Sequence, residues 1–399
     1  MLLDFVVVSM AIGLAIPLLV VSFELLITLF HENVRVSDEA AAELQGTYKI
    51  LMPAHNEAGI IGKTISSLLQ QSVRPDSILV VADNCTDNTA EIVKSLDATV
   101  LERVDAIQRG KGFALDFGIK YLKETKQPDV IVVLDADCEI DAKSLNLLVT
   151  ECLKKNRPVQ ALYLMRHSAS VSLKQRVAGF AWLVKNKIRP IAVNKLGLPV
   201  TLTGTGMAFP WHVFANINVG HGNIVEDMQL GIDCTLSGFS PIFCQEAVVY
   251  SDFPEQVQAE KTQRTRWEHG HLSTIVEQVP TLFKQAITRR DWRLLGLALD
   301  IGVPPLSLLV IVASLSGITL SIYSFMVGVY APLYIFLISF LFFISLLVAS
   351  WWQFGREYLT VKELCGIPVY VVSKLSVYAA FIFKRQTSWV RTSRDKKDE

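Results

Sequence analysis

The sequence predicts an α/β protein: a mostly parallel sheet with helices on both faces, flanked by helical segments that cross or lie on a membrane. Three observations predict it. Residues 47 to about 290 alternate between short β-branched apolar runs and amphipathic helical runs, the pattern of βαβ units. Outside that stretch lie long uncharged runs, residues 5–23 and the whole of 301–355. Three of the strand-like runs end in polar clusters, where an open parallel sheet places its ligand.

In chain order, "FVVVSMAIGLAIPLLVVSF" (5–23) is long enough to cross a bilayer. No basic stretch precedes it and no clear small-residue cleavage site follows, so we expect an anchor rather than a signal peptide. This gives an N-terminal transmembrane helix over 1–30 and a linker over 31–46. "YKILMPA", "SILVVAD", "ATVLERV" and "DVIVVLDAD" predict strands, with helices over "AGIIGKTISSLLQQS", "NTAEIVKSL" and "GKGFALDFGIKYLKE" between them. The soluble domain is expected over 47–279 and an amphipathic interfacial helix over 280–297. The charge-free stretch is too long for one span and right for two, over 298–326 and 331–354. Residues 366–383 are apolar but contain Lys374, so an interfacial or re-entrant helix is expected over 364–384, followed by a basic tail over 385–399. Arg289, Arg290 and Arg293 precede the pair of spans, and Arg356 and Lys362 follow it. By the positive-inside rule the soluble domain and the tail are cytosolic, at the cell membrane, and the 328–332 turn is external.

Lys and Arg total 38, as do Asp and Glu, so charge suggests no nucleic-acid partner. The six cysteines show no metal or redox spacing and are expected as thiols. "GIIGKT" (59–64) has two residues between its glycines where a phosphate loop needs four. "DFG" (116–118) lacks the other kinase elements.

The chemistry concentrates in a few segments. "VIVVLDADCEID" (130–141) is a buried strand ending in Asp135 and Asp137. Two carboxylates at alternate positions can reach one hard divalent cation, Mg2+ or Mn2+; alternatively these acids start a helix. "LTGTGMAFPWHVF" (202–214) places glycines, Gly204 among them, where a backbone must approach something closely, or forms an ordinary loop. Glu226 and Asp227 open a helical pattern and read as a reactive pair or as capping acids. "KTQRTRWEHGH" (261–271) mixes arginines suited to phosphate with a tryptophan face suited to sugar, or is a basic juxtamembrane patch.

"PAHNE", "DNCTD", "DAD", "GTG", "ED" and "QRTRW" occur in an order that resembles the membrane-bound family 2 glycosyltransferases, the inverting GT-A-fold enzymes that include cellulose, chitin and hyaluronan synthases. The resemblance covers residues 47–272 and the flanking spans. It implies that Pro53, His55, Glu57 and Asp83 hold the nucleoside, and that Lys111, Arg264 and Arg266 attend the diphosphate. Asp135 and Asp137 would meet the nucleotide and its Mn2+ or Mg2+, and Asp227 would be the general base. Gly204, Glu226, Gln263 and Trp267 would line the acceptor. Val225 stands where the family's T-E-D motif has threonine. The implied partners are a nucleotide-sugar donor, with a UDP-sugar favoured, a glycan or lipid acceptor, membrane lipid, and partner subunits for export. The competing reading is a non-catalytic nucleotide-binding subunit of a glycan-synthesis complex.

Overall fold

The structure is a computed structural model that describes residues 2–31, 46–166, 172–253, 257–383 and 385. Apart from residues 31, 46 and 385, the expected linker and basic tail lie outside the described residues. The elements run α1 (Leu2–Leu29), β1 (Tyr48–Ala54), α2 (Ile61–Gln70), β2 (Ile78–Asp83), α3 (Thr89–Ser95), β3 (Thr99–Arg103), α4 (Lys111–Glu124), β4 (Val130–Val133), β5 (Glu139–Ile140), α5 (Ala142–Lys155) and β6 (Val159–Arg166). They continue with α6 (Leu173–Leu183), α7 (Arg189–Lys195), β7 (Met207–Pro210), α8 (Trp211–Phe214), α9 (Glu226–Leu236), β8 (Ile242–Asp252), α10 (Val257–Arg289) and α11 (Trp292–Ile301). The chain closes with α12 (Leu306–Val327), α13 (Ala331–Ser350), α14 (Val361–Leu364), α15 (Ile367–Ser373) and α16 (Leu375–Phe383).

Contacts divide the chain into two units. Among the described residues, one comprises 46–166 and those within Gly197–Gly270, the other 2–31, 172–196 and those within His271–Arg385. The first holds the sheet, in the order β3-β2-β1-β4-β7-β6-β8-β5. Strands β3, β2, β1 and β4 are parallel, as are β6 and β8. β7 runs antiparallel to β4 and β6, and β5 antiparallel to β8. The mostly parallel sheet predicted from alternation is therefore present. All residues of β2 and β4 are buried, which is why they read as continuous apolar runs rather than as alternating ones. α4 presents Ala114, Leu115, Ile119 and Leu122 to Leu51, Val81, Ile131 and Phe209 of the sheet. Gly118 makes this approach close: a Cβ there would stand 2.5 Å from Leu51 Cδ1. With β2, β1 and β4 adjacent and parallel, the polar segments that follow them emerge at one edge.

The second unit is helical. Four segments among the described residues are long and apolar enough to cross a membrane: Leu3–Leu29, Leu306–Val327, Ala331–Gly355 and Val361–Phe383. The span expected from residue 298 begins at Leu306, because Pro304 and Pro305 interrupt the helical run after α11. Val361–Phe383 is divided into α14, α15 and α16. The sequence boundary at 279/280 falls inside α10, which continues through Pro280. Residues 172–196, assigned from sequence to the soluble domain, group with the helical unit. Arg189 on α7 pairs with Glu24 of α1 at 2.5 Å and with Asp300 of α11 at 2.6 Å, tying three helices through one guanidinium.

Candidate active site

The turns after β1 and β2 are bound into one surface. Asn56 and Asn84 take left-handed backbone, with φ of 56° and 52°, a conformation asparagine tolerates better than most residues. Asn56 Oδ1 accepts from the Thr86 amide at 2.6 Å, and the amides of Glu57 and Ala58 donate to Thr89 Oγ1 and Asp87 Oδ2 at 2.9 and 3.1 Å. His55 Nδ1 lies 2.6 Å from the Asp83 carbonyl. The Asp83 carboxylate is held by Arg103 at 2.6 Å, both side chains being almost fully buried. Thus Pro53, His55, Glu57 and Asp83 lie together at the ends of two adjacent parallel strands.

The four acids after β4 divide into two jobs. Glu139 pairs with Arg166 and with Lys63 at 2.9 Å. The Arg166 hydrogen bond, with Lys63 adding to it, holds the Glu139 carboxyl down at about 2 despite its partial burial. Asp141 is the N-cap of α5, accepting from the Ser144 amide at 2.6 Å. The helix-start reading of this cluster therefore belongs to Asp141. Asp135 and Asp137 are differently placed: their carboxylate oxygens and the Cys138 sulfur all lie within 4.8 Å of one another. Two carboxylates are the hard oxygen donors that Mg2+ or Mn2+ take, so these residues fit a divalent cation.

Lys111, the first residue of α4, sits amid the acids. Its Nζ contacts the Asp135 carboxylate, donates to the Gly204 carbonyl at 2.7 Å, and lies 4.0 Å from Glu226 Oε1. Burial alone would depress the lysine, but Asp135, Glu226 and Asp227 outweigh it and raise its pKa. Gly204 has φ of +93°, and a Cβ there would stand 3.3 Å from Asp227 Oδ2 and 3.6 Å from Lys111 Nζ. This is the close approach that the glycine pattern predicted. Burial pushes the Glu226 carboxyl up to about 7, with Lys111 pulling it down and Asp227 adding to the rise.

α10 faces this cluster with one side. A Cβ on Gly270 would meet Val225 Cγ1 at 2.5 Å, so helix and loop touch directly. The charge of Arg266 is felt at Glu226. Gln263 and Trp267 share that side by helical spacing. Arg266 Nε is buried with no hydrogen-bond partner among the described residues, a donor available to an anion. Arg264 turns elsewhere, to an ion pair with Glu260 and to the Phe253 ring at 5.3 Å. Val225, where the resembled motif has threonine, is the N-cap of α9 and makes no side-chain cap bond. Its methyl groups pack on Gly270 instead.

Sequence reasoning missed Arg103, the partner of Asp83, and Ser251, whose hydroxyl lies 3.4 Å from Asp137 Oδ2. Strand pairing could have suggested Arg103, because Asp83 and Arg103 are register partners on β2 and β3. No local signal marks Ser251.

A family model described as "Glycosyltransferase like family 2" matches residues 46–270. The "Probable glycosyltransferase YdaM" of Bacillus subtilis is 25% identical over 273 residues, 64% of this chain and 62% of that protein. A "Poly-beta-1,6-N-acetyl-D-glucosamine synthase" of Staphylococcus epidermidis is 24% identical over 241 residues, 58% of this chain and 56% of that protein. The chain thus spans about three fifths of the length of the curated relatives it matches. Among solved structures, the mannosyltransferase PcManGT from Pyrobaculum calidifontis, in complex with GDP-Man and Mn2+, superposes with a TM-score of 0.50 at 16% identity. That superposition covers 87% of this chain and 99% of the other, and it shows a shared GT-A fold.

Proposed function

The chain belongs to the glycosyltransferase-like family 2, and we propose that it is an inverting membrane enzyme that moves a sugar from a nucleotide-sugar donor to a glycan or lipid acceptor. The favoured donor is a UDP-sugar, the transferred group a hexose or N-acetylhexosamine, and the setting polysaccharide or glycolipid synthesis. The observation that carries this reading is the convergence of Lys111, Asp135, Glu226 and Asp227 around Gly204 beside the ends of parallel strands. A site for diphosphate departure needs that mixture of one cation and several acids.

The nucleoside would lie across the joined turns at Pro53–Glu57 and Asp83. Asp135 and Asp137 would hold Mn2+ or Mg2+, which supplies positive charge to the leaving diphosphate. Mn2+ with a GDP-sugar in the mannosyltransferase of the same fold supports this choice of cation. Lys111 and Arg266 would add donors to the same oxygens, with more gain as charge develops than in the bound ground state. The bond between the anomeric carbon and the diphosphate oxygen breaks as the acceptor oxygen attacks from the opposite face. The acceptor proton passes to Asp227. No enzyme nucleophile intervenes, so configuration inverts. Glu226, Gln263, Trp267 and the Gly204 backbone would line the acceptor. Arg264, held by Glu260, acts at the donor end only if that pair opens. Four apolar helices, each long enough to cross a membrane, support a multi-pass setting in the cell membrane, and the distribution of arginine and lysine supports a cytosolic catalytic unit.

The test is Asp227→Asn. Donor affinity should persist, while transfer falls by on the order of 10²-fold or more, the usual scale for a positioned base. Transfer at the wild-type rate would reduce Asp227 to a helix-start acid. A chain that only binds nucleotide would show donor affinity and no transfer in either form.

A further inference from the structure

The Asp137 carboxylate has a neighbouring donor at each of its two oxygens. Cys138 donates its S–H to Oδ1 at 3.4 Å, an ordinary separation for sulfur. The Ser251 hydroxyl donates to Oδ2 at 3.4 Å, longer than the usual O–H···O separation. Both donors are buried, Cys138 at 0% and Ser251 at 4% exposure. Tyr163, also buried, lies close by on the strand paired with that of Ser251. The three come from separate elements. Ser251 is near the end of β8, where it is the register partner of Met165 on β6, and Tyr163 lies two residues earlier on β6. The β5–β8 pairing, Glu139 with Tyr250, brings this part of β8 beside the loop that carries Asp137.

We propose that Ser251 and Cys138 are positioning residues for the cation site: by bonding one oxygen each, they fix the rotation of the Asp137 carboxylate. The inference rests on the reading of Asp137 as a metal ligand. An ionised carboxylate offers about four acceptor positions, so the bonds from Cys138 and Ser251 do not by themselves fill either oxygen. A carboxylate clamped from both sides presents those lone pairs in one orientation, so less freedom is lost when a cation binds. Groups that orient metal ligands in this way are commonly worth 10- to 100-fold in metal affinity. The contact at Ser251 is the looser of the two, so its effect belongs at the lower end. The β5–β8 and β6–β8 pairings hold Ser251 beside the loop that carries Asp137.

The experiment is a Mn2+ titration, followed by electron paramagnetic resonance, of the full chain in detergent with saturating UDP. Ser251→Ala should weaken Mn2+ binding about tenfold with the melting temperature unchanged, and Ser251→Thr, which keeps a hydroxyl, should stay within about threefold of wild type. Cys138→Ser, which replaces one donor by another, should also bind Mn2+ nearly normally. Unchanged Mn2+ affinity in Ser251→Ala overturns the proposal, as does equal loss in the threonine variant, since the hydroxyl would then not be the cause. Asp137→Asn separates the two levels of the argument. If it leaves Mn2+ affinity intact, the metal reading itself fails; if it abolishes binding while Ser251→Ala has no effect, only the positioning role fails.

Discussion

Lys111→Met removes the cation whose charge acts on Asp135, Glu226 and Asp227 alike. At 4.0 Å from Glu226, a unit charge in a medium of effective dielectric about 20 interacts by about 4 kcal/mol. Both side chains keep partial solvent contact, at 17% and 18% exposure, so about 1–2 kcal/mol is the realistic loss per carboxylate. Three consequences have definite signs. Glu226, already raised to about 7 by burial, should hold its proton to higher pH, by about one unit. UDP affinity measured with Mn2+ present should fall about 10- to 100-fold, the worth of a hydrogen bond to a charged group. Mn2+ binding without nucleotide should become equal or tighter, because the lysine that contacts Asp135 is gone. Calorimetric titration with Mn2+ alone, and with UDP at fixed Mn2+, measures both effects on one preparation. Weaker Mn2+ binding in the ligand-free variant would refute the reasoning, because the lysine would then support the cation rather than compete with it.

Two further outcomes follow from the same geometry. Glu226 has its folded pKa raised from 4.5 to about 7 by burial, so its contribution to stability is complete below about 4.5 and is lost as pH rises through 7. Glu226→Gln should therefore melt at a growing margin above wild type between those values, reaching up to roughly 3 kcal/mol, and a margin that does not change with pH would contradict it. For topology, cysteine labelling in oriented vesicles should find the 328–332 turn outside and the soluble unit inside; labelling of both from the same side would overturn the arrangement argued from the basic residues.

The strands were legible because burial on both faces leaves β2 and β4 as nearly continuous apolar runs, and such runs do not resemble amphipathic helices. Asp135 and Asp137 were legible for a related reason: carboxylates directly after a buried strand need a purpose. Glu139 and Asp141 stand in the same sequence cluster, yet their roles depend on Arg166, Lys63 and the start of α5, which only the folded chain brings together. Ser251 was illegible because it reaches Asp137 across 114 residues through strand pairing. Arg264 and Arg266 look equivalent in "QRTRW", but two residues along a helix turn the chain by roughly 200°, so they serve different faces. The reach of α10 through Pro280 was also missed, because proline in a helical run ordinarily predicts a boundary.

The central claim is metal-dependent cleavage of a nucleotide sugar at the site around Asp137 and Lys111. Its most direct measurement is nucleoside diphosphate release by the purified chain in detergent, across UDP-, GDP- and dTDP-sugars, with Mn2+ and with chelator. The account predicts release from one donor class, a UDP-sugar first, that requires Mn2+ and is lost in Asp137→Asn. Release that persists in chelator, or that survives Asp137→Asn unchanged, would contradict it.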